Sequence, residues 1–331
     1  MQDTNGTEDL LLASMAFFQP VLDSLLKSLG PSSLCEIGID KGRFTKYLVF
    51  FCKEQGCHYT GIDPAINTLG FSNVGSEGFQ FFEQKSGDVL PDLPPKDVYI
   101  IDGDHNYHTV KEEIRLIFRH SEHRPVLLFH DTAWPFARRD LYYDPAGIPK
   151  EKRHPHSLEE GPWPGKDGLE KDGFCATESV GIAKAEGTPC NGVLTAIEDS
   201  ISQNLVPGGY ALATVPIAFG LSILFPERDV PDATRDEIQK LEASSEVLSP
   251  LLSPMESNRI RLGLKLLALS EKFDSLFTKY DLLLKNYNDL DKAYSVLMGK
   301  YKELDEHSDK LLQAYNGLDQ HFKAQMGKQK A

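Results

Sequence analysis

Over its first two thirds the chain alternates short apolar runs with amphipathic stretches, and it then settles into one long regular repeat. Val98–Ile101 and residues 126–129 are β-branched, aliphatic and aromatic runs, as expected of strands buried on both faces of a parallel sheet. Residues 33–39, 58–62 and 80–84 read as three more strands. Apolar positions at helical spacing over 43–55 and 109–119 place helices between them, and this alternation predicts an α/β sheet. Residues 10–29 carry Leu11, Leu12, Met15, Phe18, Val21, Leu22, Leu25 and Leu26 at helical spacing, interrupted by Pro20 and closed by Gly30-Pro31. They predict an N-terminal helical cap, residues 1–30, over one sheet edge. A helix over 193–203 and apolar runs at 210–215 and 219–225 supply the last elements of the sheet.

Beyond residue 226 the pattern changes. Residues 227–257 are punctuated by proline, with an acidic helical patch at 236–243, and read as a linker. From Phe273 to Phe322 apolar residues recur at alternating spacings of three and four, with tyrosine at most a positions, leucine at d and a single break at Ser308. This is the a/d pattern of a coiled coil, and it predicts a homo-oligomer for residues 258–331, with three strands favoured by the bulk of tyrosine. The basic end, 323–330, reads as a solvated tail.

Composition narrows the classes. A net charge of −14 argues against a nucleic-acid binder, because phosphate binding needs a basic face. Cys35, Cys52, Cys57, Cys175 and Cys190 lack C-x-x-C spacing, so reduced thiols in a cytoplasmic protein are expected. Residues 1–9 are polar and acidic and no apolar run approaches ~18 residues, which predicts a soluble, unsecreted chain.

The chemistry-bearing residues fall at strand ends. Asp102, Asp104 and His105 follow the run 98–101, and His130-Asp131 follow the run 126–129. Ligands of open α/β sheets collect outside the carboxyl ends of the strands, so neighbouring strands would converge these acids and imidazoles on one crevice. A glycine turn, Glu36-Ile-Gly38-Ile-Asp-Lys-Gly42, follows the first strand, and Asp63 ends the second. Residues 132–191 are rich in proline, glycine and charge, too long for an ordinary connection, and read as an acceptor-binding insertion. Arg138, Arg139, Tyr142 and Tyr143 stand just after the His-Asp pair, where aromatics and arginines suit a sugar face and an anionic substituent.

The E-x-G-x-x-x-G turn, Asp63 and Ser86-Gly87-Asp88, in that order, resemble class I S-adenosylmethionine-dependent methyltransferases. The resemblance implies a Rossmann-like sheet over residues 31–226. It also implies a methionine pocket shaped by Gly38 and Gly42 with Glu36 beside it, a ribose contact at Asp63, and an adenine site at Ser86 and Asp88. Asp102-Gly-Asp-His and Leu-Phe-His-Asp131 further resemble the metal-dependent small-molecule and sugar O-methyltransferases. That branch implies a divalent metal on Asp102, His130 and Asp131, with His105 as base and Asp104 as the alternative. Related enzymes often have two acids in the strand-five pair. The imidazole of His130 suits manganese, iron or zinc better than magnesium, leaving the metal open.

The C-terminal repeat is similar to the coil of chain-terminating O-antigen methyltransferases. That likeness implies capping of a surface polysaccharide in lipopolysaccharide biosynthesis, a glycosyltransferase partner, and a cytoplasmic or peripheral inner-membrane location. The alternatives are a coiled-coil scaffold with a degenerate domain, a methyltransferase of small natural products, and an iron site for oxygen chemistry.

Overall fold

The computed structural model describes residues 11–65, 78–120, 122–176 and 178–328. The expected residues 1–10 of the helical cap and the last residues of the basic tail lie outside this set. A 3-10 turn, Met15–Phe18, capped by the Ser14 side chain, leads into α1 (Gln19–Leu29), which Gly30 ends in the left-handed region. Pro20 sits in the first turn of α1, where its missing N–H costs nothing, so it starts the helix rather than interrupting it.

The alternating core follows in chain order: β1 (Ser33–Ile37), α2 (Arg43–Gln55), β2 (His58–Ile62), β3 (Phe79–Phe82), the short α3 (Ser86–Val89), β4 (Val98–Ile101), α4 (Tyr107–Ile117) and β5 (Val126–His130). The insertion then forms β6 (Leu141–Tyr142), β7 (His156–Ser157), β8 (Gly161–Pro162), β9 (Leu169–Glu170) and β10 (Gly181–Ala183). α5 (Val193–Ser202), β11 (Tyr210–Val215), β12 (Leu221–Pro226) and α6 (Asp232–Lys328) complete the chain.

The main sheet has the order β11-β12-β5-β4-β1-β2-β3, parallel except that β12 runs antiparallel to both its neighbours. This is the Rossmann-like sheet of class I methyltransferases that the resemblance implies. Successive residues of β4 serve different layers, which is why the strand shows no polar alternation. Val98 and Ile100 pack with α1 and α2 through Leu22, Leu26 and Leu48, whereas Tyr99 and Ile101 pack with α4 and α5 through Ile114, Val193 and Ile197. The order reverses between β1 and β4, and the carboxyl ends of these strands carry Gly38 and Asp102.

The insertion has more structure than its composition showed, and two expectations need correction. The insertion is an ordered body: β6, β10 and β7 form one small sheet, β8 and β9 another, over a core of Phe136, Leu141, Phe174 and Ile182. The stretch 227–257 is not a linker, because α6 starts at Asp232 and passes through Pro250 and Pro254. Ile238, Ile260 and Leu264 are buried, Thr234 reaches Ser28, and Arg261 donates to Pro164 O, so this part of the helix belongs to the folded unit Met1–Leu267. Glu246, four residues before Pro250, is exposed, so solvent can take the carbonyl that the proline leaves free. The second unit is 268–331, described as helix to Lys328, with its apolar seam exposed.

The second correction concerns the thiols. Gly56 adopts a left-handed conformation at the end of α2 and turns the chain so that Cys57 N donates to Cys52 O, and Cys52 and Cys57 form a disulfide. Cys35, Cys175 and Cys190 are free.

One carboxylate ties the insertion to the sheet. Asp140 is fully buried; its Oδ1 accepts from Tyr107 N and Gly192 N, each at 2.7 Å, and its Oδ2 accepts from Tyr142 OH at 2.7 Å. Asp140→Ala would leave three buried donors without acceptors, at ~1–3 kcal/mol apiece if unrelieved. The expected loss of stability is on the order of 3 kcal/mol in chemical denaturation, with Asp140→Asn in between. An unchanged midpoint for Asp140→Ala would show that the insertion is held by its apolar core alone.

Candidate active site

The site grows from the glycine turn after β1. Gly38 has φ +92°, and a Cβ there would stand 2.2 Å from Asp102 O, so only glycine lets the end of β4 pass this close. Two main-chain bonds hold the crossing, Gly38 N to Ile62 O at 2.9 Å and Asp102 N to Ile37 O at 2.8 Å. Gly42 (φ +68°) sits at the N-cap of α2. Asp63 lies at the end of β2 as expected, but its carboxylate is engaged: Oδ2 accepts from Ile39 N at 2.7 Å and Asp40 N at 3.2 Å, and Oδ1 from Ala65 N at 2.7 Å. It therefore shapes the glycine turn.

Glu36 is buried below this turn. Thr45 donates to its Oε2 at 2.8 Å and Tyr59 OH donates to the same oxygen, so the carboxyl bridges α2 and β2. Burial pushes it up to about 8 against those bonds. Ser86 is buried and donates to Glu113 Oε1 at 2.5 Å, while Asp88, two residues on, is exposed.

The acids and imidazoles at the ends of β4 and β5 do converge. Asp102, His105 and Asp131 offer ligand atoms that all lie within 4.8 Å of one another. His105 Nδ1 stands 3.2 Å from Asp131 Oδ2. His130 Nδ1 stands 3.0 Å from Asp102 Oδ1 and 3.1 Å from Asp131 Oδ2, so both imidazoles address the same carboxylate. Burial alone would lower the His130 pKa, but Asp102 and Asp131 outweigh it and hold the ring charged well above the ordinary histidine range. Burial would likewise raise Asp131, and His105 and His130 outweigh it to keep that carboxyl below its usual value. Asp131 has φ +57°, a strained conformation for a non-glycine residue and one that clusters at functional sites.

The base candidates differ in setting. His105 is packed between Phe136, whose ring stacks on it at 6.0 Å, and Tyr143, whose ring lies 5.7 Å away. Its carbonyl accepts from Leu141 N at 3.0 Å, so the insertion holds the loop. Asp104 faces α4 instead: Oδ2 accepts from Thr109 Oγ1 at 2.9 Å, Oδ1 has no protein partner, and burial raises its pKa. Glu113, one helical turn past Thr109, also has an unpartnered oxygen, and burial pushes it up to about 8.

Of the four expected acceptor residues, only Tyr143 is at the site and more than half exposed. Arg139 is fully buried and donates to Ala183 O, Lys184 O and Glu186, so it frames the insertion. Arg138 forks onto Glu198 of α5 and reaches Thr195. Tyr142 is buried against Asp140 and accepts from His154 N. Phe136, the stacking partner of His105, was not among the expected residues. Its position two residues after Trp134 in an aromatic cluster was the only sign of it in the sequence.

A family model and several solved structures are similar to the chain. Residues 35–132 match the family model described as a methyltransferase domain, and the chain carries such a domain there. No curated protein matches the chain. Among solved structures, the SAH-bound Podospora anserina methyltransferase PaMTH1 is similar at 9% identity over 68% of this chain and 79% of its own, with a TM-score of 0.38. A candidate caffeoyl-CoA O-methyltransferase of Staphylococcus aureus is similar at 10% identity, covering 68% of this chain and 93% of its own, with a TM-score of 0.40. A SAM-dependent methyltransferase of Archaeoglobus fulgidus is similar at 19% identity over 39% and 58%, with a TM-score of 0.29.

The raised Glu113 carboxyl has a pH signature. Between the ordinary glutamate value of 4.5 and about 8 the folded chain keeps a proton that the unfolded chain has lost, so stability falls as pH rises through that window. Glu113→Gln, which keeps the shape without the titration, is expected to flatten the slope of unfolding free energy against pH between 5 and 8. An unaltered slope would assign that dependence to other groups.

Proposed function

We propose that this protein is an S-adenosylmethionine- and divalent-metal-dependent O-methyltransferase acting on a sugar hydroxyl, with the end of a bacterial surface polysaccharide as candidate acceptor. The observation that carries the reading is the convergence of Asp102, His105 and Asp131 at the carboxyl ends of two neighbouring strands beside a glycine turn. Two carboxylates with an imidazole in reach form a donor set suited to a divalent first-row ion. When bound, the cofactor supplies the methyl sulfonium and the ion supplies Lewis acidity that lowers the acceptor hydroxyl's pKa.

The chain's own residues then have distinct tasks. Gly38 and Gly42 open the turn for the amino-acid tail of the cofactor, Asp63 braces that turn, and Ser86 and Asp88 border the place for the adenine. Asp102 and Asp131 would hold the ion. Asp131 also orients His105 through Nδ1, leaving Nε2 to receive the acceptor's proton, a task within reach of an imidazole near neutral pH. His130, buried behind the two carboxylates with Nδ1 in reach of both, offsets their mutual repulsion as the charged ring, and it would join the donor set only after giving up a proton. Phe136 fixes the His105 ring, and Tyr143 offers an aromatic face to a sugar. A second reading makes His105 the third metal ligand, favoured by its place in the cluster with Asp102 and Asp131.

Asp102→Ala and chelator treatment are each expected to lower methyl transfer to a glycan panel by more than about 100-fold, beyond the effect of outer residues. Full activity after either treatment would remove the metal from the reaction. His105→Ala is expected to abolish single turnover while calorimetry still detects manganese and S-adenosylhomocysteine binding. Loss of manganese binding in that variant would move His105 from base to ligand.

A further inference from the structure

The imidazole of His105 is the last member of a column of rings that crosses the folded unit. Its face lies on Phe136 at 6.0 Å between ring centroids and 10° between planes. Phe136 meets Phe174 at 5.9 Å and 38°, and Phe174 stacks on Phe219 at 5.0 Å and 16°. These separations lie within the range of about 4.5–7 Å in which aromatic pairs attract. The far end is closed by α6, where the guanidinium of Arg259 lies 5.5 Å over the Phe219 ring and donates to Leu11 O and Glu256. Ile260 and Leu264 of the same helix are buried in the cluster that contains Phe136, Phe174 and Phe219.

Separate segments bring these rings together. Phe219 lies in the turn between β11 and β12 with φ +67°, after Ala218 at φ +46°, so two successive non-glycine residues occupy the left-handed region. Ala133 N donates to Phe219 O at 2.7 Å, and a Cβ on Gly220 would stand 2.3 Å from Ala133 N, which fastens this turn beside the His130-Asp131 pair. Phe174 is set by the insertion: its N–H donates to Pro162 O at 2.9 Å, and a Cβ on Gly161 would stand 1.9 Å from its carbonyl oxygen. Backbone strain such as that at Ala218 and Phe219 persists only where the surroundings over-determine it, and it clusters at functional sites. Asp131 meets His105 at one ring nitrogen, and that contact alone does not stop the imidazole from turning about it. A stacked face does, provided that Phe136 is itself held. We propose that Phe174, Phe219 and Arg259 are positioning residues for His105, holding its imidazole in line through Phe136 from a seat on α6. Their part in the reaction rests on the reading of His105 as the base.

A matched substitution separates positioning from general loosening. Phe118 is buried to 6%, against 7% for Phe174, but packs in a different cluster at the C-terminal end of α4. The readout is carbethoxylation of His105 by diethyl pyrocarbonate in the full chain, followed by peptide mass spectrometry against the exposed His58 in the same sample. Labelling of His105 is expected to quicken several-fold in Phe174→Leu and in Phe219→Leu, and to keep the unmodified rate in Phe118→Leu. Arg259→Met, which keeps length and removes charge, should quicken it less, and Arg259→Lys should leave it unchanged. Toward any glycan that the unmodified protein methylates, Phe174→Leu is expected to lower kcat by about 10-fold or more, because small misplacements of a reacting group are costly. The KM for the cofactor and the calorimetric affinity for S-adenosylhomocysteine should stay as they are. Unchanged His105 labelling in both column variants, or equal quickening in Phe118→Leu, would overturn the inference. An Arg259→Met variant labelled at the unmodified rate would overturn the role given to α6. The labelling does not depend on His105 being a base. A protein that methylates no glycan would therefore count against the proposed function alone, and the column would stand or fall on the labelling.

Discussion

A buried carboxylate in water-free surroundings must be fully hydrogen-bonded, and the placement of this site depends on how Asp140 meets that demand. Its acceptors are filled by the first turn of α4, by the residue that opens α5 and by a tyrosine of β6. These three segments are far apart in the chain, and they surround the loop that carries His105. Its own N–H donates to Asn191 and its carbonyl accepts from Ala183, so all the polar main-chain atoms of this residue are used as ties too. Gly192 makes the junction possible, since a Cβ there would stand 2.5 Å from the backbone of Ala137, Arg138 and Arg139. The insertion is thereby pinned at its root, and its aromatic residues reach the strand ends from a fixed base.

Electrostatics work in the opposite sense a few residues away. Asp102 and Asp131 bring two negative charges together at the ends of adjacent strands, in a chain already carrying a net charge of −14. Burial disfavours the ionised form of Asp131, and the imidazoles of His105 and His130 restore it. That carboxylate stays ionised in a secluded place, as holding a cation would require. By contrast Glu36 and Glu113, which face hydroxyl groups and no cation, are pushed up to about 8 by burial.

The legibility of the chain divides along physical lines. Strands such as β2 and β4, and the helix α2, could be read to the residue because burial on both faces or one helical stripe leaves a local pattern. The convergence of Asp102, His105, His130 and Asp131 was legible because it needed only strand order. What failed required knowing where a long side chain goes. Arg138, Arg139 and Tyr142 have the composition of a sugar site, yet an acid and carbonyl oxygens from more distant parts of the chain, Glu198 and Ala183 among them, occupy the two arginines, and Asp140 occupies Tyr142. Pro250 and Pro254 signal a break, but a helix already docked through Ile238 and Ile260 continues past them where its carbonyls meet solvent. The Cys52–Cys57 disulfide escaped because spacing alone does not show the left-handed turn at Gly56.

The close crossing of Gly38 beneath the Asp102 carbonyl has a consequence for heredity as much as for chemistry. The glycine turn after β1 and the acid at the end of β4 share one contact surface with no space between them, so neither can be altered by small steps without displacing the other. A side chain acquired at residue 38 would present itself as a failure at Asp102, on a different strand. Descendants of this sequence must therefore keep or lose the turn and the acid as a unit.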